Sequence, residues 1–294
     1  MNYPKISIVT PSYNQGQYIE DTILSVLGQR YPNLEYLIFD AKSTDNSVEI
    51  IKMYETELTY WETKEDYGQA DAINKGFAKA TGEILMWLNS DDVLMPNVLK
   101  YIGEQYLEKG EGIYFGNCIH FEEKNGGDLY SSGSDVNRLY NSTSIELIDM
   151  IIQPSSFWSK QVWEKVGNLD VNLNFGFDWE WFLRATDCKT DFYPFNKPIS
   201  LYRHHPNHKS GSGGEKRQKE LLKIYQLYSP KYAELYKILM EEKYVFSFGQ
   251  RIMFKGFKFF YGEKYTKFQF LKLIKNNYYK EFTLKEMELI SHML

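Results

Sequence analysis

In the N-terminal part of the chain the apolar positions fall in short blocks that switch between two rhythms. Ile6 to Thr10, Leu34 to Phe39, Leu58 to Glu62 and Glu83 to Leu88 are brief β-rich runs, of strand length. Between them, Tyr18 to Leu27, Ser43 to Tyr54 and Ala70 to Ala80 carry apolar residues at helical spacing. Strands alternating with helices of this length predict βαβ units and a parallel sheet with right-handed crossovers. Further on, a helix is expected after Pro96, Ile113 to Phe121 is strand-like, and the polar stretch Glu122 to Ser144 reads as an exposed excursion. Phe177 to Thr186 predicts a helix and Phe192 to Tyr202 further short strands. The Gly/Ser stretch Ser210 to Gly214 marks a boundary. Residues 1–214 are therefore expected to form an α/β domain, and residues 215–294 a helical, basic and aromatic extension.

The fourth strand ends in Trp87-Leu88-Asn89-Ser90-Asp91-Asp92. In an open α/β sheet, ligands bind outside the carboxyl ends of the strands, and adjacent carboxylates there offer the oxygen donors that hard divalent cations require. A polar turn capping the next helix is the structural alternative for the same letters. No Gly-x-Gly-x-x-Gly follows the first strand, where Pro11-Ser12-Tyr13-Asn14 stands instead. A dehydrogenase-type dinucleotide fold thus lacks its phosphate-binding fingerprint.

Composition narrows the class. With 294 residues and 43% hydrophobic content, the chain can bury one large core or two modest ones. A net charge of −5 argues against general nucleic-acid binding. Local charge runs the other way near the C-terminus: Arg251, Lys255, Lys258, Lys264, Lys267, Lys272, Lys275 and Lys280 share a segment whose one acid is Glu263. Interleaved aromatics there suit either a helix on an anionic membrane surface, over Tyr244 to Lys280, or an ordinary packed amphipathic helix. Cys118 and Cys188 show neither metal spacing nor a disulfide framework. Together with the lack of a signal-like N-terminus or a spanning apolar run, this predicts a cytoplasmic location, peripheral at most.

The order of several motifs from Ile6 to Lys209 resembles the family 2 glycosyltransferases of the GT-A fold. Ile6-Ser7-Ile8-Val9-Thr10-Pro11-Ser12-Tyr13-Asn14 looks like the family's first strand and nucleotide loop, which implies that Pro11 and Tyr13 bind the donor, with Tyr13 against the base. Phe39-Asp40 is similar to the second strand end, whose acid bonds the base; Ala41 and Lys42 depart from the family pattern. Gly68-Gln69-Ala70-Asp71-Ala72-Ile73-Asn74-Lys75-Gly76 resembles the helix of donor contacts, where Asp71 and Asn74 would share a face. Asn89-Ser90-Asp91-Asp92 matches the metal motif, with Asp92 expected on the cation, Asp91 on the ribose or metal shell, and Asn89 in place of a frequent acid. One carboxylate with diphosphate oxygens and water suffices for Mn²⁺ or Mg²⁺.

Gln153-Pro154-Ser155-Ser156-Phe157 and Val166-Gly167-Asn168-Leu169-Asp170 look like the acceptor-side strand and loop before Phe177-Asp178-Trp179-Glu180. Asp178 takes the position of the family's catalytic base, with Glu180 a second acid and a simple helix cap the alternative. Tyr202-Arg203-His204-His205-Pro206-Asn207-His208-Lys209-Ser210 resembles the closing segment that returns to the diphosphate, which implies His205 on the metal and Lys209 on the phosphates. The resemblance implies inverting transfer of a single sugar from a nucleotide-diphosphate donor, with uridine the commonest base, to a glycan or lipid-linked acceptor in cell-surface polysaccharide or glycoconjugate synthesis. The processive signature Gln-x-x-Arg-Trp is absent. A non-catalytic nucleotide-sugar-binding or assembly subunit on the same fold is the alternative.

Overall fold

The computed structural model describes residues 3–123, 129–133, 136–206, 208–209, 213–241, 249, 252–255, 266–274, 279 and 281–294. The chain packs as two units, Met1–Thr143 with Met150–Ser212, and Ser144–Asp149 with Gly213–Leu294.

In the first unit, strands β1 (Ile6–Ser12), β2 (Leu34–Asp40), β3 (Tyr60–Thr63) and β4 (Ile84–Trp87) alternate with helices α1 (Ile19–Leu27), α2 (Ser47–Met53) and α3 (Gln69–Lys79). The strands pair in parallel in the order β3-β2-β1-β4. Every residue of β1 is buried, as expected of a central parallel strand covered on both faces. Because β2 and β4 flank β1 on opposite sides, the connections diverge there and leave a crevice at the carboxyl ends of β1 and β4.

The chain continues through β5 (Val93–Leu94), α4 (Val98–Lys109), β6 (Ile113–Glu123), β7 (Leu129–Gly133), α5 (Val136–Ser142), β8 (Ser156–Ser159), α6 (Lys160–Val166), α7 (Phe177–Asp187) and β9 (Phe192–His204). Beyond β4 the sheet runs β8-β6-β9-β5, with β7 added to β6. Here the pairing turns mixed: β8 is antiparallel to β4 and β6, while β6 and β9 are parallel.

The structure departs from the sequence pattern in this half. The expected excursion contains β7, paired with β6, and α5, whose Val136 is fully buried. Ladder pairing satisfies the backbone of a polar segment as well as that of an apolar one. The expected short strands after Phe192 form one continuous β9, which accommodates Pro194 and Pro198 through register shifts against β6 between Phe115 and Cys118. Helix α6 spans 7 residues, too few to declare a helical period.

Helices cover both faces of the sheet. On one side, Ile6, Ile8, Ile38, Met86 and Leu88 pack with Ile19 and Ile23 of α1, Ile50 of α2 and Val98 of α4. On the other, Phe77 of α3 meets Trp87 and Trp158, and Trp158 meets Trp181 of α7 at 4.9 Å. Gly76 allows this approach, since a Cβ at that position would stand 2.3 Å from the Val9 side chain of β1.

In the second unit, Tyr225 of the helix Gly214–Tyr228 stacks against Tyr236 of the helix Pro230–Glu241 at 5.0 Å and donates its hydroxyl to the Leu147 carbonyl. The helix Leu284–Ser291 opens on a capping box between Thr283 and Glu286. Most of Tyr244 to Lys280, including Arg251 and Lys258, lies outside the described residues. Among the described residues, no helix is long and apolar enough to cross a membrane.

Candidate active site

The β4 strand delivers the chain into the crevice, and the turn that follows is fixed through its backbone. Thr22 of α1 donates to the Asp92 carbonyl at 2.7 Å. The Arg203 guanidinium donates to the Asp91 carbonyl at 3.2 Å, reaches Asp21 of α1 at 2.7 Å, and lies over the Tyr18 ring. Held in this way, the two carboxylates have different surroundings. Asp92 is 1% exposed, and its oxygens accept from the Asn89 amide at 3.0 Å and the Arg203 backbone N–H at 3.4 Å. Burial, reinforced by the charge of Asp91, pushes the Asp92 carboxyl well above the ordinary carboxylate range, against the pull of Asn89 and Arg203.

Asp91 is the more accessible of the two, and its Oδ2 lies 3.1 Å from Nε2 of His205. Asp92, expected on the cation, is thus buried, whereas Asp91, expected on the ribose or metal shell, is the acid that meets His205. Neighbouring ligands of an octahedral cation, each about 2.1 Å from it, sit about 3 Å apart. The Asp91–His205 pair matches that spacing. Among the described residues, no group of three His, Cys, Asp or Glu side chains could hold a metal by itself.

Lys209 begins a relay into the same turn. Its ammonium donates to the Gln69 amide oxygen at 3.0 Å, Gln69 donates to Asn89 at 2.7 Å, and Asn89 donates to Asp92. An amide at position 89 can accept on one side and donate on the other, whereas a carboxylate would face Asp92 without a proton to offer. Gln69 and Arg203 were not among the expected site residues, although both lie within the motifs that supplied them.

At the end of β1, Pro11 is held in the sheet opposite Phe39, and Tyr13 is 60% exposed. The loop after β1 is tied to the loop after β2: Asn14 N–H donates to Ser43, Gly16 N–H to Asp45, and Thr44 N–H to the Asn14 side chain, each at 2.8 Å. Asp40 is buried and clamps its own loop, accepting from the Ser43 backbone at 2.9 Å and from Thr63 at 2.7 Å. A cavity of about 510 Å³ beside it is lined by Phe39, Asp40, Asp66, Ala72 and Lys75. Asp66, which the motif reading passed over, has its carboxyl raised chiefly by burial, against the pull of Gly68 N–H and Lys75. This cavity does not include Asp91 or His205.

Asp71 and Asn74 have different partners. Although Asp71 is partly buried, Lys75 at 2.7 Å and the Tyr67 N–H at 3.0 Å hold its carboxyl below the ordinary range. Asn74 instead brackets Leu169, donating to its carbonyl and accepting from its N–H, each at 3.0 Å. Both ends of the Asn74 amide are thus bonded to the 166–170 loop.

Asp178 stands in the first turn of α7, where its carboxylate accepts the Trp179 N–H at 2.9 Å and meets the positive end of the helix. Glu180 lies on a different side: it is buried and forms a two-pronged pair with Arg184 at 2.8 and 3.0 Å. Arg184 extends to the carbonyls of Val166 and Asn168, and Trp181 donates to that of Gly167. Through Arg184, Glu180 supports the loop that Asn74 also holds. The Lys209 ammonium, 5.3 Å from the Phe177 ring, brings the closing segment next to Asp178.

The profile of glycosyl transferase family 2 matches residues 7–161. The chain belongs to glycosyl transferase family 2. Among relatives of this family, it is 33% identical over 134 residues to the glycosyltransferase GlyG of Streptococcus pneumoniae serotype 4, a stretch that is 44% of each chain. It is 43% identical over 94 residues to TuaG of Bacillus subtilis strain 168, named for teichuronic acid biosynthesis, covering 30% of this chain and 36% of TuaG. The chain therefore spans less than half the length of these relatives. In solved structures the fold recurs in S. aureus TarS in complex with UDP-GlcNAc (TM-score 0.62, 16% identity, 79% of this chain and 70% of that one). It recurs also in the mannosyltransferase PcManGT of Pyrobaculum calidifontis with GDP-Man and Mn²⁺ (TM-score 0.65, 14% identity, 99% and 88%). The mixed sheet flanked by helices is the GT-A fold of these structures.

Proposed function

We propose that the chain is an inverting glycosyltransferase that moves one sugar from a nucleotide-diphosphate donor to a hydroxyl of a glycan or lipid-linked acceptor in polysaccharide synthesis. The observation that carries this reading is the meeting of Asp91 with His205 in the crevice, while the same closing segment brings Lys209 beside the helix start that bears Asp178. Asp91 and His205 would hold Mn²⁺ or Mg²⁺, completed by donor oxygens and water. When bound, the ion supplies Lewis-acid stabilisation of the departing diphosphate.

The chain's own groups do the rest. Tyr13, exposed at the mouth of the crevice, offers a ring face to the base, and Lys209 adds positive charge toward the diphosphate. Asp178 takes the proton of the attacking hydroxyl while the anomeric carbon passes through an oxocarbenium-like state. TarS and PcManGT, which bind UDP-GlcNAc and GDP-Man, support a nucleotide-sugar donor, and TuaG's name supports a polysaccharide setting.

Calorimetric titration with uridine, guanosine, cytidine and thymidine diphosphates, with and without Mn²⁺, tests the reading. Tight binding of one nucleotide only with metal is the expected result. Binding of none of them overturns it.

A further inference from the structure

Of the chain's 5 histidines, all but His292 lie in one run of rings that starts at the crevice. The ring of His205 is 5.9 Å from that of His208, His208 is 5.3 Å from His204, and His204 is stacked 5.3 Å from His120. Tyr202 closes the group, 5.1 Å from His204 and 5.3 Å from His120. Nδ1 of His120 and Nε2 of His204 are 3.2 Å apart, so a hydrogen bond joins the two imidazoles.

Strand geometry places this group. In the parallel pairing of β6 and β9, His120 lies opposite Tyr202 and Glu122 opposite His204. Alternation along β9 sends Tyr202 and His204 to the face opposite Arg203, and Arg203 points to α1 through Asp21. The rings therefore lie on the face of the sheet that carries α3 and α7, the helix that begins beside Asp178. One residue past His208, Lys209 touches the α7 start through Phe177. His120, Tyr202 and His204 are half-buried, not sealed into the core. Burial, together with the neighbouring His204, lowers the His120 pKa, which favours a neutral ligand over an anion.

We propose that His120, Tyr202 and His204 form a platform for a saccharide acceptor of two or more units, seating its inner sugars and directing the terminal hydroxyl toward Asp178. Sugar rings present C–H faces and hydroxyl edges, and this group supplies ring faces together with nitrogen and oxygen edges. The inference rests on the transferase reading and deepens it, by assigning the residues that seat the inner sugars of the acceptor.

The test uses the full chain loaded with Mn²⁺ and the best-binding nucleoside diphosphate, applied to a printed array of bacterial surface oligosaccharides. Wild type is expected to be retained on a set of glycans of at least two units. His120→Ala should weaken that retention about tenfold, and His120→Phe, which keeps a ring, should restore most of it. Nucleotide affinity, measured separately, should stay within about twofold of wild type, because one kcal/mol would already move it further. Equal retention by wild type and His120→Ala overturns the platform, as does a wild type that binds nucleotide yet retains no glycan. Loss of nucleotide binding in wild type itself sinks the transferase reading instead. Tyr202→Ala provides a second variant, interpreted only where its unfolding matches wild type.

Discussion

Nε2 of His205 lies 3.1 Å from Oδ2 of Asp91 although 114 positions separate them in the chain. Strand β9 brings them together. It carries Arg203, which ties the Asp91 backbone to α1, and it ends next to His205, so the latch and the pair are set by one strand. His205 is itself held by the Tyr18 ring at 4.5 Å.

Asp91→Asn is expected to abolish the Mn²⁺-dependent part of nucleotide binding while leaving the fold intact. Asp92→Ala should instead leave Asn89 and the Arg203 N–H unpaired and destabilise the protein by about 1–3 kcal/mol. Titration calorimetry and urea unfolding, run on both variants, separate the two roles. Equal loss of metal dependence in both would return the cation to Asp92.

Asp178→Asn should bind nucleotide diphosphate like wild type and lose transfer by about 10²–10⁴-fold. Single-turnover transfer measured beside nucleotide affinity checks this. Undiminished transfer would remove Asp178 from the role of base.

Glu180→Ala leaves the buried side of Arg184 without its carboxylate and is expected to cost about 3 kcal/mol of stability. Equilibrium urea unfolding reads this directly. Nucleotide affinity at a temperature where the variant is folded should match wild type, since Glu180 serves the 166–168 loop.

Asn74→Ala removes two hydrogen bonds to Leu169, worth about 2 kcal/mol together. Hydrogen exchange should show faster opening across residues 166–170 than in wild type. Protection unchanged from wild type would mean that Arg184 and Trp181 suffice to hold the loop.

Glu35 is a buried carboxylate at the opposite ends of the strands from the crevice, bonded to Ser7, to Thr81 at 2.6 and 2.7 Å, and paired with Lys5 at 3.3 Å. Burial opposes its ionisation, but the hydrogen bonds from Ser7, Thr81 and Lys5 outweigh that and lower its pKa. The folded state therefore binds its proton less readily than the unfolded chain. Its stabilisation is full above the unfolded value, about 4.3, and is lost as pH falls through the folded one. Glu35→Gln should flatten the acid limb of stability against pH below about 4, as followed by urea unfolding at stepped pH.

The alternating N-terminal half was legible because each strand and helix there is long enough to show its own period, and a fully buried β1 reads as one unbroken block. The run ending in Asn89-Ser90-Asp91-Asp92 was equally visible, since the switch from apolar strand to paired acids is local. Which acid faces the crevice was not. Asp91 and Asp92 are adjacent letters, and their difference comes from Thr22 and Arg203, residues from distant elements that fix the turn. The partners of Asn74 and Glu180 were hidden for the same reason: helical spacing names a face, whereas the 166–170 loop bonds Asn74 directly and reaches Glu180 through Arg184. The mixed half of the sheet was concealed because β7 is polar and β9 carries prolines, and only pairing with β6 makes them strands. Sequence by itself determined the order of elements in the N-terminal half and the chemistry available; tertiary structure decided which carboxylates are buried, because burial and hydrogen bonds across the fold depend on contacts that no local pattern encodes.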